Sequence, residues 1–301
     1  MSRFTRRPFA VAVVALCLAV VVGGAVLAQF GPGFGPGFGR GGGRGRRMSP
    51  LNGLPTDRAG VPDWEVSEKF SEDVFTFVRV QYDSSYNSYG GWGRGGGGGW
   101  TTDWPDSDLN FSYRLQQLTS LKVNPEPICL RLTDPRLFDY PFLYMIEPGR
   151  LAFSEEEVVA LRRYLLNGGF MMVDDFWGDA QYENFYHEIK RVFPDREPFD
   201  IPLEHPIFQC VYKLRERPQV PSIHTWMGTG QMYEDHGPGS VEVHYRGIKD
   251  DKDRLVVFIG HNTDLGDGWE REGEDPEYFH EFAEKKSYPL GINIVTYAMT
   301  H

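Results

Sequence analysis

Short, nearly continuous apolar runs alternate along the chain with stretches in which apolar residues return every three or four positions. The first run, Val74-Phe75-Thr76-Phe77-Val78-Arg79-Val80, predicts a strand ending at Gln81-Tyr82-Asp83. Phe111, Leu115 and Leu118 then recur at helical spacing behind Asp106, which the pattern offers as a helix cap. Further strands are predicted over residues 128–132, 142–146, 170–173 and 255–259, the last three followed by Glu147, Asp174-Asp175 and Gly260-His261-Asn262. Ser154 opens a capping box with Glu157, Val158, Leu161 and Leu165 share a face, and Gly168-Gly169 stops that helix. Tyr182, Phe185, Ile189 and Val192 mark another helix, and residues 292–299 a closing one.

Strands that are apolar throughout are buried on both faces, and their alternation with amphipathic helices implies a parallel sheet covered on both sides. The predicted architecture is an open, doubly wound α/β sheet forming one domain over residues 71–301. Residues 195–250, rich in Pro and Gly with short β-like pieces such as Val241-Glu242-Val243-His244-Tyr245, are predicted as an irregular insertion.

The amino terminus breaks this pattern. Residues 1–8 are basic, residues 9–28 are almost unbroken apolar, and Val26-Leu27-Ala28 offers small residues where a signal peptidase reads. The segment predicts export to the periplasm or cell envelope, either cleaved after residue 28 or kept as a membrane anchor. Arg6-Arg7 fits a twin-arginine signal as well as an ordinary basic leader. Residues 31–47 contain nine Gly and four Arg, too little apolar surface to offset backbone entropy, so residues 29–70 read as a flexible tether. Membrane contact is expected only through the N-terminal segment.

Charge narrows the partners. The chain of 301 residues carries 42 Asp+Glu against 31 Lys+Arg, a net charge of −11, and every charged residue before Met48 is an arginine. The acidic body is a poor nucleic-acid binder, which leaves an envelope polymer or a small polar ligand. The second glycine run, residues 90–99, lacks the strand, G-x-G-x-x-G and helix succession of a nucleotide site, and the chain has no Gly-Lys pair for a P-loop. There is no C-x-x-C or G-x-S-x-G, and His187-Glu188 and His280-Glu281 lack the second zincin histidine. Beyond Cys17 in the leader, Cys129 and Cys210 either pair as one disulfide or lie reduced in buried strands.

In open α/β sheets ligands bind outside the carboxyl ends of the strands. Asp83, Glu147, Asp174 and Asp175 stand there, with Asn262, Trp177 and Trp269 as further ligand contacts. Asp174-Asp175 serve either as cap and turn formers before Gly178 or, with His261 opposite, as hard oxygen ligands for a metal or a general acid/base pair. His261, Asp264 and Asp267, spaced by three and joined by His205, could hold one divalent metal ion; an Asx turn explains the same composition. A lone histidine such as His205 or His224 is also commonly just packed.

Tyr140-Pro141-Phe142-Leu143-Tyr144, Gly168-Gly169-Phe170, Val173-Asp174-Asp175-Phe176-Trp177-Gly178, His205-Pro206-Ile207-Phe208 and the His261–Asp267 run together resemble the bacterial family called domain of unknown function 4159. That resemblance implies a flavodoxin-like sheet of the class I glutamine amidotransferase-like kind and brings no established activity. In glutaminases of that superfamily the turn matching Val173 to Gly178 carries a nucleophilic cysteine. Here it carries Asp174 and Asp175, so glutamine hydrolysis through a thioester is not expected. Three functions stay open: binding of a polar ligand, such as a saccharide stacked on Trp104, Trp177, Trp226 or Trp269; a metal-assisted hydrolase; and a non-catalytic envelope assembly protein.

Overall fold

The computed structural model describes residues 58–70, 73–84 and 99–301; the predicted export signal and most of the tether lie outside them. In chain order its elements are β1 (Val78–Gln81), β2 (Asp83–Ser84), α1 (Asp106–Leu118), β3 (Ile128–Arg131), β4 (Phe142–Ile146) and β5 (Leu151–Ala152). There follow α2 (Glu155–Leu166), β6 (Phe170–Asp174), α3 (Gly178–Val192), β7 (Phe199–Asp200), α4 (Ile223–Thr229), β8 (His244–Lys249) and β9 (Leu255–His261). The chain closes with α5 (Leu265–Glu270), α6 (Pro276–Tyr278), a π-helical stretch Phe279–Ser287 and α7 (Tyr288–Thr300).

Seven strands form one mostly parallel sheet in the order β3-β1-β4-β6-β9-β8-β7. The first five run parallel, while β8 and β7 add an antiparallel edge. After β3 the chain returns across β1 to β4, so strand order reverses between β1 and β4. The region 195–250 thus contributes two strands to the sheet, as well as α4 and a long irregular stretch.

Side chains alternate between two buried faces. Val78, Val80, Leu143, Met145, Met171, Val173, Val257 and Ile259 meet Val158, Leu161 and Leu165 of α2 and Phe185, Ile189 and Val192 of α3. On the opposite face Phe77 packs against Phe142, Tyr144, Phe111 of α1 and Trp269 of α5, and Tyr144 also meets Trp269. Burial on both faces is why these strands read as uninterrupted apolar runs.

Some sequence expectations shift. The first strand is shorter than the run 74–80: Phe75 makes only an isolated bridge to Val123, and regular pairing begins at Val78. Asp106 is the first helical residue and not the cap; Pro105 occupies the cap position without a side-chain bond, and Asp106 and Asp108 place negative charge at the helix's positive end. The capping box of Ser154 and Glu157 is present with both of its bonds. Cys129 lies half-buried on β3, but Cys210 is exposed outside any strand, where its thiol donates to the Asn293 carbonyl; both thiols are free.

Candidate functional site

Irregular backbone is concentrated where the parallel strands end. Six non-glycine residues have positive φ among the described residues, and four of them, Asp103, Glu147, Asp175 and Asn262, follow the carboxyl ends of β1, β4, β6 and β9 or lie in the loop after β1. Each such conformation costs on the order of 1 kcal/mol or more and persists only where surroundings hold it. Asn262 shows the holding: its Oδ1 accepts from Gly178 N at 2.8 Å, and its Nδ2 donates to Gly239 O and Glu242 O at 2.7 and 2.6 Å. Gly178 is glycine for a reason, since a Cβ there would stand 2.9 Å from Ser240 Oγ and 3.1 Å from Pro238 O. The segment before β8 is thereby pinned over the start of α3.

Residues 100–102, which lead to Asp103, are held from below by Arg79. Its guanidinium is fully buried, pairs with Asp108, and donates to Trp100 O and Thr102 O at 3.1 and 2.5 Å. Asp103 follows directly; its carboxyl shares a hydrogen bond with the Glu270 side chain, and its buried Oδ2 meets no N–H donor. That oxygen lies against the first turn of α5, 2.8 Å from the position a Cβ on Gly266 would take.

Two trios of carboxylates result. One oxygen from each of Asp175, Glu234 and Asp264 lies within 4.8 Å of the others, and the same is true of Asp103, Asp264 and Asp267. Asp264 belongs to both. Burial pushes the Asp175 carboxyl well above the usual carboxylate range, and Glu147 and Glu234 push it further; its Oδ1 accepts from Trp177 Nε1 at 3.0 Å. Burial does the same to Asp264, with Asp175 and Asp267 adding to it. For Glu234 burial acts upward too, but hydrogen bonds from His236 and Ser222 outweigh it and hold the carboxyl below its ordinary value. Asp264 Oδ1 caps α5 by accepting from Asp267 N at 2.7 Å, while Asp267 accepts from Ile223 N, Tyr278 Oη and Arg271 Nε.

The remaining sequence candidates fall into three groups. Glu147 stands at the crevice, bonded to Gly99 N and electrostatically coupled to Asp175. Asp174 sits one residue below it in β6, fully buried, its Oδ2 accepting from Leu265 N, Gly266 N and Tyr144 Oη. His261 is not joined to the carboxylates: β9 extends through it, which turns its ring to the face occupied by Val257 and Ile259, against Phe176 and Tyr182. Its Nε2 contacts Gly178 O, and burial holds it down to about 4.

His205 sits farther away, packed on Tyr297, whose ring touches Phe170 at the opposite end of β6 from Asp174. Asp83 is an exposed partner of Arg131. Trp177 and Trp269, 2% and 0% exposed, cannot offer a ring to a sugar; Trp269 fills the aromatic core beside Phe111, and Trp177 orients Asp175. Trp226 packs edge-on against Phe282, and Trp104 lies over Arg79. Asp103 and Glu234, which complete the two trios, are the functional residues that periodicity could not find. They lie in irregular stretches whose only local signals are Asp-Trp-Pro and a Gly-rich, acidic run.

The profile described as Domain of unknown function (DUF4159) matches residues 76–299, which include every strand of the seven-stranded sheet and all of the carboxylates above. The chain belongs to the DUF4159 family. Among characterised proteins, a glycogen synthase from Thermosipho africanus (strain TCF52B) is 28% identical to this DUF4159 chain over 133 residues. That match covers 42% of the chain but only 26% of the enzyme. Among the described residues of this DUF4159 protein no helix is long and apolar enough to cross a membrane.

Proposed function

We propose that this protein binds a hard divalent cation in the strand-end crevice and, through it, a hydroxyl-rich polar ligand of the saccharide class. The observation that carries the reading is the convergence of Asp175, Glu234 and Asp264 within 4.8 Å, since oxygens spaced that far apart can share an ion at about 2.4 Å from each. Calcium is the favoured ion, because one ligand, Glu234, comes from an irregular segment and calcium accepts variable geometry. With the tryptophans buried, hydroxyl coordination replaces ring stacking as the source of sugar affinity. The partial likeness to an enzyme named for glycogen supports a saccharide.

The proposed setting is the periplasm or cell envelope, reached through the apolar leader over residues 9–28, where calcium is plentiful enough to fill weak sites. We read the sheet as flavodoxin-like and related to the glutamine amidotransferases: its parallel strands, renumbered along the chain, run 2-1-3-4-5. Asp175, left-handed at the strand-to-helix turn, takes the place of the nucleophilic cysteine. That turn also favours a second reading, metal-assisted hydrolysis, with the cation activating water beside Asp175.

The test is a glycan-array screen of the full chain with calcium and again with a chelator. Calcium-dependent retention that Asp175→Asn abolishes supports the reading, whereas retention indifferent to the chelator, or none at all, removes it. Turnover of glycosides by the same preparations would favour the hydrolase.

A further inference from the structure

We infer that the π-helical stretch Phe279–Ser287 is the frame that sets how far apart Glu234 and Asp264 stand, and that Tyr278 and Ser287 thereby determine which cation the crevice accepts. The inference rests on the cation reading above and deepens it to the selectivity of that site. Neither residue is a ligand. Both are positioning residues, acting through the segments that carry the carboxylates.

α6, the π-helical stretch and α7 follow one another without a break from Pro276 to Thr300. Tyr278 and Ser287 are nine residues apart, about two and a half turns of an α-helix, which would put them on opposite sides. Bonds from residue i to i+5 take more residues into each turn, so the π-helical stretch brings the two back to one side. Tyr278 Oη donates to Pro221 O at 2.7 Å and meets Asp267 Oδ2 at 3.3 Å, while Ser287 Oγ donates to Leu265 O at 2.6 Å. Gly268 permits the approach, since a Cβ there would stand 2.7 Å from the Cβ of Ser287. π-Helical geometry is rare, mostly confined to single turns and frequent at functional sites; here it runs for 9 residues.

The frame reaches two of the three candidate ligands. Leu265 follows Asp264 directly, so the Ser287 bond holds the turn that presents Asp264. Lys286 Nζ donates to Gln219 O at 3.1 Å, Tyr278 takes Pro221 O, and the Phe282 ring packs on Trp226 at 5.0 Å. These contacts fix residues 219–226, from which Ser222 N donates to Glu234 Oε1 at 3.0 Å. Asp264 N donates to Val220 O at 2.8 Å and closes the circuit. Spacing then selects the ion. Calcium takes oxygens at about 2.4 Å in variable geometry, whereas magnesium demands about 2.1 Å in near-ideal octahedral order. Oxygens within 4.8 Å of one another suit the larger ion, and drawing Glu234 and Asp264 onto the smaller one would strain the bonds of the frame.

The experiment is isothermal titration calorimetry of the full chain with calcium and, separately, with magnesium, in the parent, Ser287→Ala, Tyr278→Phe and the control Ile189→Val. The control loses one methylene from the buried face of α3, a destabilisation similar to that of one lost hydrogen bond, and leaves the frame intact. The ratio of the magnesium to the calcium dissociation constant should fall roughly threefold to tenfold in each hydroxyl variant and hold in the control. A parent that binds magnesium as tightly as calcium, a ratio unmoved in both hydroxyl variants, or an equal fall in Ile189→Val overturns the frame while the cation reading stands. A parent that binds neither ion removes both. Hydrogen exchange on the parent decides should the variants fail to fold: calcium should slow the amides of residues 279–287 along with those of 263–267, by roughly threefold or more, and slowing confined to 263–267 overturns the inference.

Discussion

Asp174 keeps its carboxylate completely inside the protein, between the first turn of α5 and the Tyr144 hydroxyl, and burial pushes it up to about 7 despite those donors. An unfolded chain titrates this group near 4, so the folded state holds a proton that the unfolded state has released. Its effect on stability is therefore a loss as pH rises from about 4 through about 7. His261 runs the other way. Burial lowers it to about 4 from an unfolded value near 6.5, so the folded state resists protonation and stability is lost as pH falls through that window. In the parent the two slopes, each up to about 1.4 kcal/mol per pH unit, oppose one another. Asp174→Asn removes the first, so urea midpoints of the variant should climb between pH 4.5 and 7 more steeply than the parent's; parallel profiles would rule out a proton on Asp174.

At the scale of elements, one buried arginine joins a strand, a helix and a loop. Arg79 on β1 pairs with Asp108 of α1 and carries the carbonyls that precede Asp103. Arg79→Met leaves Asp108 buried and unpaired and should cost about 3–5 kcal/mol in chemical denaturation. The variant should also bind calcium more weakly than a control destabilised to a similar extent elsewhere, such as Leu161→Ala in the core face of α2; equal affinity would mean that Arg79 supports only the fold.

The same elements explain what could be read in advance. Strands β4, β6 and β9 were legible because burial on both faces removes polar residues from them, and α2 because its cap is local in sequence. The carboxyl ends of those strands pointed to Glu147, Asp175 and Asp264. Asp103 and Glu234 were not legible, since tertiary bonds from Arg79, Ser222 and Asn262 place their segments and no periodicity marks them. His261 misled for a definite reason: the apolar run stops at Ile259, but pairing with His244 carries β9 two residues further and turns the imidazole into the sheet's face.

Across the whole molecule, Asp175, Glu234 and Asp264 come from distant chain segments, so a bound cation would tie together the end of β6, the segment before β8 and the start of α5. One site held at a hundred times its dissociation constant adds about 2.7 kcal/mol, which for a domain of this size is a rise in Tm of roughly 5–10 °C. Scanning calorimetry of the full chain should show that rise with calcium and its reversal with chelator. An unchanged Tm at saturating calcium would count against any cation in the crevice.

The sheet's two margins differ in a way that bears on how copies of the molecule avoid one another. One margin ends in β7, only two residues long, whereas the other ends in β3, which among the described residues pairs with β1 alone and has four residues in register. An edge strand of that length is, where uncovered, a template for a neighbouring strand. Arg131, exposed at its end and paired with Asp83, places charge where an incoming strand would have to lie flat. Replacing it with valine should leave the fold intact yet make the protein self-associate with rising concentration in analytical ultracentrifugation; unchanged sedimentation would mean that the charge at Arg131 does not protect this edge.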